Sequence, residues 1–175
     1  MEDILLVKRA IKGDRDSFEE LINIYFDRLY KEAYLRCKYE EDAKEIVQET
    51  VYKAYRNIKT LKEPQYFKTW ISRILINVAN DYLRKNGMIE LSHDENSYIT
   101  KVHNDDNIDV KIDLYNAIDE LEDKYKDVII LKYIDDLKLE EISTILDRPV
   151  NTIKTHLRKA IKDMKNLLKE GYIND

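Results

Sequence analysis

The sequence is poor in the residues that turn a chain sharply, since three glycines and two prolines occur among 175 residues. Glycine weakens a helix because its backbone is too free, and proline breaks one because it lacks the amide hydrogen. Their scarcity favours long helices joined by few tight turns. No stretch of useful length alternates apolar and polar residues as a strand would, and no internal repeat occurs. The sequence therefore predicts an all-α protein.

Cysteine is almost absent, and the single Cys37 can form neither an intramolecular disulfide nor a cysteine-rich metal site. One cysteine favours a reducing compartment. The first residues lack the layout of a signal peptide, and no apolar run approaches about 18 residues. We expect a cytoplasmic protein whose link to any membrane passes through a partner.

A catalytic constellation is also missing. The three histidines, His93, His103 and His156, are scattered along the chain, and the acidic pair Asp105-Asp106 lies in a stretch without helical period. We therefore expect no enzymatic activity, no cofactor and no metal.

The net charge of −5 is unusual for a DNA-binding protein, which is ordinarily basic. The charge is unevenly distributed, however. Residues 86–110 hold one basic and six acidic residues, which amounts to −5. Residues 148–169 hold seven basic residues against Asp163 alone. A basic segment of this kind is typical of a helix that faces phosphates.

Periodic apolar residues predict four helices in the first half and four in the second. The predicted spans are 3–12, 14–37, 40–58, 66–86, 111–121, 123–136, 139–147 and 151–170. The stretch between the two sets is rich in Asn, Asp and Ser and has no helical period. We predict two small helical domains, 1–87 and 110–175, joined by a flexible acidic linker, 88–109.

The segment LEEISTILDRPVNTIKTHLRKAIKDM predicts a helix-turn-helix. A short helix is followed by a break at 147–149 and by a second helix, for which Asn151 would be the N-cap. Ile153, Leu157 and Ala160 fall on one face of that helix, and Arg158 and Lys159 fall on the opposite face. A helix with one dry and one basic face suits the major groove of DNA.

The helix predicted over 40–58 also has two contrasting faces. Apolar residues such as Ile46 and Val47 form a core stripe, while four polar or aromatic residues cluster on the reverse side. These four are Glu45, Gln48, Glu49 and Tyr52. Periodicity alone leaves open whether they form ordinary surface or an interface with a protein partner.

Taken in order, these segments resemble the group IV sigma-70 family, the extracytoplasmic-function sigma factors. The opening AIKGDRDSFEELINIYFDRLYKEAYLRC contains the Gly-Asp and Phe-Glu of the first family block. The segment EEDAKEIVQETVYKAYRNI is similar to the polymerase-binding helix, and YFKTWISRILINVANDYLRKN is similar to the promoter-melting helix. Residues 123–165 resemble the domain that reads the −35 element.

The resemblance implies three sets of contact residues. Those that would dock on the β′ clamp helices of core RNA polymerase are Glu45, Gln48, Glu49 and Tyr52. Those that would contact the −10 element are Arg73, Asn77, Asp81 and Arg84. Those that would contact the −35 element are Asn151, Thr152, Lys154, Thr155, Arg158 and Lys159. Phe67 and Trp70 match family aromatics, and we expect them to pack in the core.

The resemblance also implies a function: the chain would bind core polymerase, through the β′ clamp helices and the β flap, and direct it to promoter DNA. Control by an anti-sigma protein, either free or membrane-anchored, and a role in an envelope-stress response would follow. The alternative is a helix-turn-helix regulator with a helical amino-terminal domain. Such a regulator would not need the 45–52 cluster or the block from Phe67 to Arg84.

Overall fold

A computed structural model describes the backbone of residues 2–87 and 108–171 and the side chains of residues 3–87 and 114–168. All regular structure in these ranges is helical, which confirms the predicted all-α class. The α-helices of the described residues are α1 (Glu2–Ile11), α2 (Arg15–Cys37), α3 (Glu40–Asn57), α4 (Phe67–Lys85), α5 (Ile108–Asp119), α6 (Asp123–Ile129), α7 (Leu139–Leu146) and α8 (Val150–Gly171). Within the same ranges, no helix has the length and apolar content needed to cross a membrane.

Local signals fix the helix ends of the amino-terminal half, residues 2–87. Gly13 follows α1 with a φ of 97°, in the left-handed region that glycine tolerates best. Asp14 caps α2, since its carboxylate accepts hydrogen bonds from the Ser17 amide at 3.3 Å and the Ser17 hydroxyl at 2.9 Å. Lys38 ends α2 with a φ of 66° and donates its amide to the Tyr34 carbonyl at 2.8 Å.

The core of this half is formed where α1, α2, α3 and α4 converge. Its largest fully buried side chains are Leu21, Leu29, Ile46, Phe67, Ile71 and Leu75. Burying each one contributes about 1.5–3 kcal/mol relative to leaving it exposed. Phe67 meets Tyr25 edge-on with ring centroids 5.3 Å apart, and Trp70 is half-buried beside it. The expected core role of Phe67 and Trp70 is confirmed.

The carboxy-terminal half, residues 108–171, contains an irregularity that the sequence analysis did not predict. Helix α6 continues into a π-helical turn, Ile130–Ile134, which places the Asp135 amide 3.1 Å from the Ile130 carbonyl. Asp136 follows with a φ of 49°. The predicted single helix over 123–136 is therefore one α-helix plus one wider turn. Such turns are rare and often mark functional positions.

The turn between α7 and α8 lies where it was predicted, and Asp147 enters it with a φ of 50°. The predicted N-cap of α8 is wrong. Val150 is already helical, and the Pro149 carbonyl accepts the Ile153 amide at 3.1 Å, so Asn151 lies inside the first turn. The reason is Pro149, which lacks an amide hydrogen and is therefore tolerated at the start of a helix, where the first amides have no intrahelical acceptor.

Residues 88–107 of the predicted linker, 88–109, lie outside the described residues. Helix α5 begins at Ile108, inside the predicted span. Apolar residues at Ile108, Ile112 and Tyr115 repeat with helical spacing, which accounts for the earlier start.

The two halves pack against each other at two apolar contacts. Leu35 of α2 joins a cluster that contains Ile118 of α5, and Ile76 of α4 joins a cluster that contains Ile142 of α7. Each half also has buried apolar residues of its own. This packing was not predicted from the sequence.

Candidate nucleic-acid and protein interfaces

Helix α3 presents the predicted polymerase-docking set to solvent. Glu45, Gln48, Glu49 and Tyr52 are all exposed, with Tyr52 exposed by 53%. The opposite side of the helix is the buried core stripe. The Arg56 guanidinium lies 5.7 Å from the centre of the Tyr52 ring and donates a hydrogen bond to its hydroxyl at 3.2 Å. These contacts hold the Tyr52 ring on the surface, where aromatic side chains often anchor a protein partner.

A groove of about 660 Å³ separates α3 from α4, and it brings part of the −10 set next to the α3 set. Its lining residues are Glu45, Gln48, Glu49, Tyr52, Lys53, Val78, Asp81, Tyr82 and Lys85. One groove wall therefore belongs to the proposed protein interface and the other to the helix that would meet DNA.

Tyr82 connects these two walls, and sequence reasoning did not single it out. Its hydroxyl donates to Asp42 Oδ1 at 2.8 Å and lies 3.4 Å from Glu45 Oε2. The hydrogen bond to Asp42 is the main reason that the pKa of Tyr82 rises to about 12, because ionisation would place two negative charges together. The neutral phenol thus ties α4 to Asp42 on α3, with the Glu45 carboxylate beside it. In the sequence, one indication of this role is that Tyr82 directly follows Asp81, a predicted −10 contact.

The −10 set forms a single exposed row along α4. Arg73, Asn77, Asp81 and Arg84 follow one another at intervals of four, four and three residues, and all are exposed. Arg84 donates to Asp81 Oδ1 at 2.5 Å, so this end of the row carries a paired charge. The polar side chains of this row can form hydrogen bonds with bases, and its arginines can form ion pairs with phosphates.

The −35 set lies on α8, apart from the groove. Asn151, Lys154, Thr155, Arg158 and Lys159 are exposed, and Thr152 is half-buried. On the other side of the helix, Ile153 and Ala160 are fully buried, so the core fixes which face is outward. This arrangement agrees with the predicted dry and basic faces.

Two side chains of this set are already engaged within α8. Lys159 Nζ lies 2.8 Å from Asp163 Oδ1, which is the main reason that the pKa of Lys159 is raised. The Thr155 hydroxyl donates to the Asn151 carbonyl at 3.0 Å. Thr155 could therefore contact a base through its methyl group without giving up this hydrogen bond.

Two family profiles match the chain. Sigma-70 region 2 matches residues 10–88, and sigma-70 region 4 matches residues 111–164. The region 2 match disfavours the alternative of an unrelated helical domain attached to a helix-turn-helix.

Curated relatives support the same reading. The chain is 41% identical to the RNA polymerase sigma factor SigV of Bacillus subtilis over 137 residues, which cover 78% of this chain and 81% of that protein. It is 33% identical to the ECF RNA polymerase sigma factor SigW of the same organism over 179 residues, with 94% and 95% covered.

Solved structures agree in fold. The structure of CnrH in complex with the cytosolic domain of CnrY has a TM-score of 0.74 at 19% identity, and the match covers 97% of this chain and 99% of that one. The sigma factor RpoE from Bartonella quintana, in complex with the anti-sigma factor NepR, has a TM-score of 0.73 at 22% identity, with 87% and 96% covered. From both profiles and from relatives matched over most of their length, we conclude that the chain belongs to the extracytoplasmic-function family of sigma-70-type RNA polymerase sigma factors.

Proposed function

We propose that residues 1–87 bind core polymerase and capture the −10 element, that residues 110–175 read the −35 element, and that residues 88–109 tether them. The supporting observation is that three exposed rows, on α3, α4 and α8, each lie opposite a buried stripe. The α3 row would meet the β′ clamp helices, and the carboxy-terminal half would meet the β flap. The chemistry of RNA synthesis would belong to the polymerase.

The α4 row gives this proposal a mechanism for melting. Bases extruded from the duplex cost a few kcal/mol to unstack, which contacts in a protein pocket can offset. Asn77 can donate and accept hydrogen bonds to a base edge, while Arg73 supplies a positive charge for the backbone. The groove beside this row is where polymerase contacts and promoter contacts would adjoin.

In vitro transcription tests the whole proposal. Core polymerase and the purified chain are incubated with a library of promoter fragments, and the run-off products are sequenced. We expect a shared −10 and −35 motif among the active templates. If adding the chain produced no further transcripts from any template, the proposal would be contradicted.

Replacing Tyr82 with Phe should weaken binding of core polymerase by about 2- to 10-fold, because one hydrogen bond contributes about 0.5–1.5 kcal/mol. The loss of the hydroxyl removes the hydrogen bond to Asp42 that ties α3 to α4, and so loosens the neighbouring Glu45. Titration of labelled chain with core polymerase measures the effect. Tyr39→Phe is the control, since Tyr39 is an exposed tyrosine at the start of α3. Equal affinities for the two variants would rule out a positioning role for Tyr82.

Replacing Lys159 with Ala should cost about 1–3 kcal/mol of promoter binding and relax the preference for one base pair, if Lys159 touches a base edge. Competition binding to a set of −35 variants measures both quantities. Lys165→Ala is the control, because Lys165 is exposed further along the same helix. An equal loss on every sequence would make Lys159 a phosphate contact instead.

We further propose that an anti-sigma protein, either free or membrane-anchored, holds the chain inactive in the cytoplasm until envelope stress. This proposal is supported by the structure of the B. quintana sigma factor RpoE, which has the same fold and is in complex with the anti-sigma factor NepR. Affinity capture of the tagged chain from detergent-solubilised cells, before and after stress, should yield such a protein in the unstressed sample. Recovery of polymerase subunits alone would contradict this.

A further inference from the structure

The boundary between the two halves contains a buried ionic cluster. Arg28, Glu32 and Arg36 succeed one another at four-residue intervals on α2, and their side chains are exposed by 15%, 0% and 5%. Asp135, whose side chain is fully buried, and Asp127 approach them from the carboxy-terminal half. We call these five residues, together with Ser72 of α4, the latch.

The contacts of the latch run across the boundary. Arg28 Nε lies 3.7 Å from Asp135 Oδ1, and the Ser72 hydroxyl donates to Asp135 Oδ2 at 3.2 Å. Arg36 forms an ion pair with Asp127 and lies 3.5 Å from Glu32 on its own helix. The side-chain contacts of Asp135 are thus to residues of the other half.

The backbone conformation of residues 130–136 places Asp135 in the latch. The π-helical turn Ile130–Ile134 adds a residue to one turn, and the left-handed Asp136 ends the element directly after Asp135. An uninterrupted α-helix would turn each later side chain about 100° per residue and present Asp135 elsewhere. A wider turn and a left-handed residue, both costly to form, therefore surround the residue that crosses the boundary.

The latch is poorly satisfied, which distinguishes it from a permanent interface. Within the part of the chain that the structure describes, Arg28 Nε, Asp135 Oδ1 and both Glu32 oxygens are buried without a hydrogen-bond partner. Desolvation of buried ion pairs offsets much of their attraction, whereas removal of one partner leaves an uncompensated buried charge. Separation of the halves would remove the partner surface that shields these groups from water. The boundary is therefore suited to opening and closing.

Closure has a geometric consequence for promoter binding. The carboxy-terminal half covers one side of α4, where Ser72 and Ile76 lie directly beside Arg73 and Asn77 of the −10 row. A compact body of 175 residues has a radius of gyration of about 16 Å and hence a width of about 40 Å. Elements named for positions −10 and −35 are roughly 25 base pairs apart, or about 85 Å at 3.4 Å per base pair. The closed form is too small to contact both.

We propose that the free chain rests in this closed form, held by the latch without any partner, and that the latch must open before both promoter elements are contacted. The second clause rests on the proposed function, while the first does not. Removing the charge of Asp135 should then open the molecule, because Arg28 is left buried without its counter-charge.

The full chain, without polymerase or DNA, is labelled with spin probes at Lys59→Cys and Asn166→Cys, both exposed positions in opposite halves. Cys37 is buried, and burial raises the pKa of its thiol to about 11, so it stays unlabelled. Distances from double electron–electron resonance should show one short, narrow population. Asp135→Asn should raise the ratio of open to closed molecules at least tenfold, with added long distances.

Asp136→Asn is the matched control, since it makes the same chemical change at the exposed neighbouring residue, where asparagine tolerates the left-handed conformation. Arg28→Ala tests the other side of the latch and should open the molecule as Asp135→Asn does. Circular dichroism verifies that each variant keeps its helices. A wild-type chain with broad distances would overturn the proposal, and so would folded Asp135 and Arg28 variants that remain closed. A closed wild type that opens in both variants supports the latch even if the transcription test fails.

Discussion

Core polymerase should bind at least about 100-fold more weakly to a chain in which Glu45, Gln48 and Glu49 are all replaced by alanine. All three side chains are exposed on one face of α3, and interface hot spots often contribute about 2 kcal/mol or more each, whereas a 100-fold loss needs about 2.7 kcal/mol. The fold should persist, because alanine is the best helix former and no buried group is removed. Titration with core polymerase measures affinity, and circular dichroism measures helical content.

The chain offers a closely matched control for this triple variant. Glu20, Asn23 and Asp27 also comprise two carboxylates and one amide, and all are exposed on α2. Their replacement by alanine changes net charge equally, yet it should leave polymerase affinity within about twofold of wild type, as expected for residues outside an interface. If both triple variants bind equally well, the α3 face is not the docking surface.

The opening of the latch should depend strongly on pH. Burial, followed by the nearby charge of Asp135, raises the pKa of Glu32 well above its ordinary 4.5, while Arg36 and Arg28 oppose that rise. Through Arg36, Asp127 also belongs to this environment. With Glu32 protonated, two arginines face two aspartates and the cluster is neutral.

The direction of this dependence follows from proton linkage. Opening removes the burial and the nearby Asp135 charge that raise the pKa of Glu32, so its pKa falls back toward the ordinary 4.5 and the open form releases a proton that the closed form retains. This stabilisation of the closed form is fully present below pH 4.5 and is lost as pH rises through the raised pKa. Between these limits the ratio of open to closed molecules should increase about tenfold per pH unit. The interdomain distance distribution, recorded from pH 4.5 upward, measures that ratio.

Glu32→Gln isolates the source of the pH response. The amide keeps the shape of the protonated acid, so this variant should remain closed over the whole range and lose the slope. Glu20→Gln, a change at an exposed carboxylate on the same helix, should retain it. A slope that persists in Glu32→Gln would assign the proton to another group.

The sequence predicted helices well because their signals are local. The Gly13-Asp14 pair, which ends α1 and caps α2, needs no tertiary partner, so its effect can be judged from adjacent residues. The stripe opposite the α3 set was predicted for the same reason. Asn151 was misassigned as an N-cap because its residue type favours that position, whereas the Pro149 carbonyl already accepts the first hydrogen bond of α8.

The latch could not be predicted because the burial of its charged side chains depends on contacts between residues remote in the chain. Glu32 and Arg36, four residues apart on α2, have the spacing of an ordinary solvent-exposed ion pair. Their burial follows from contact with residues about 90 to 100 positions later, of which Asp127 is one. The role of Tyr82 was missed similarly, since Asp42 lies 40 residues away. The periodicity of a sequence identifies the polar face of a helix. Whether a charge on that face is buried depends on the surface that packs against it.

If the free chain is mostly closed, the equilibrium between the closed and open forms also affects the apparent affinity of each partner. If about one molecule in 100 is open, the apparent Kd of any ligand that needs the open form rises about 100-fold, while a ligand that recognises the closed form keeps its intrinsic affinity. An inhibitor that recognises the closed form would then be favoured over a polymerase complex that contacts both promoter elements, by a factor set by the closure equilibrium of this chain. By reciprocity, each such inhibitor would further stabilise closure. Asp135 would thus bias the choice between two partners without contacting either of them.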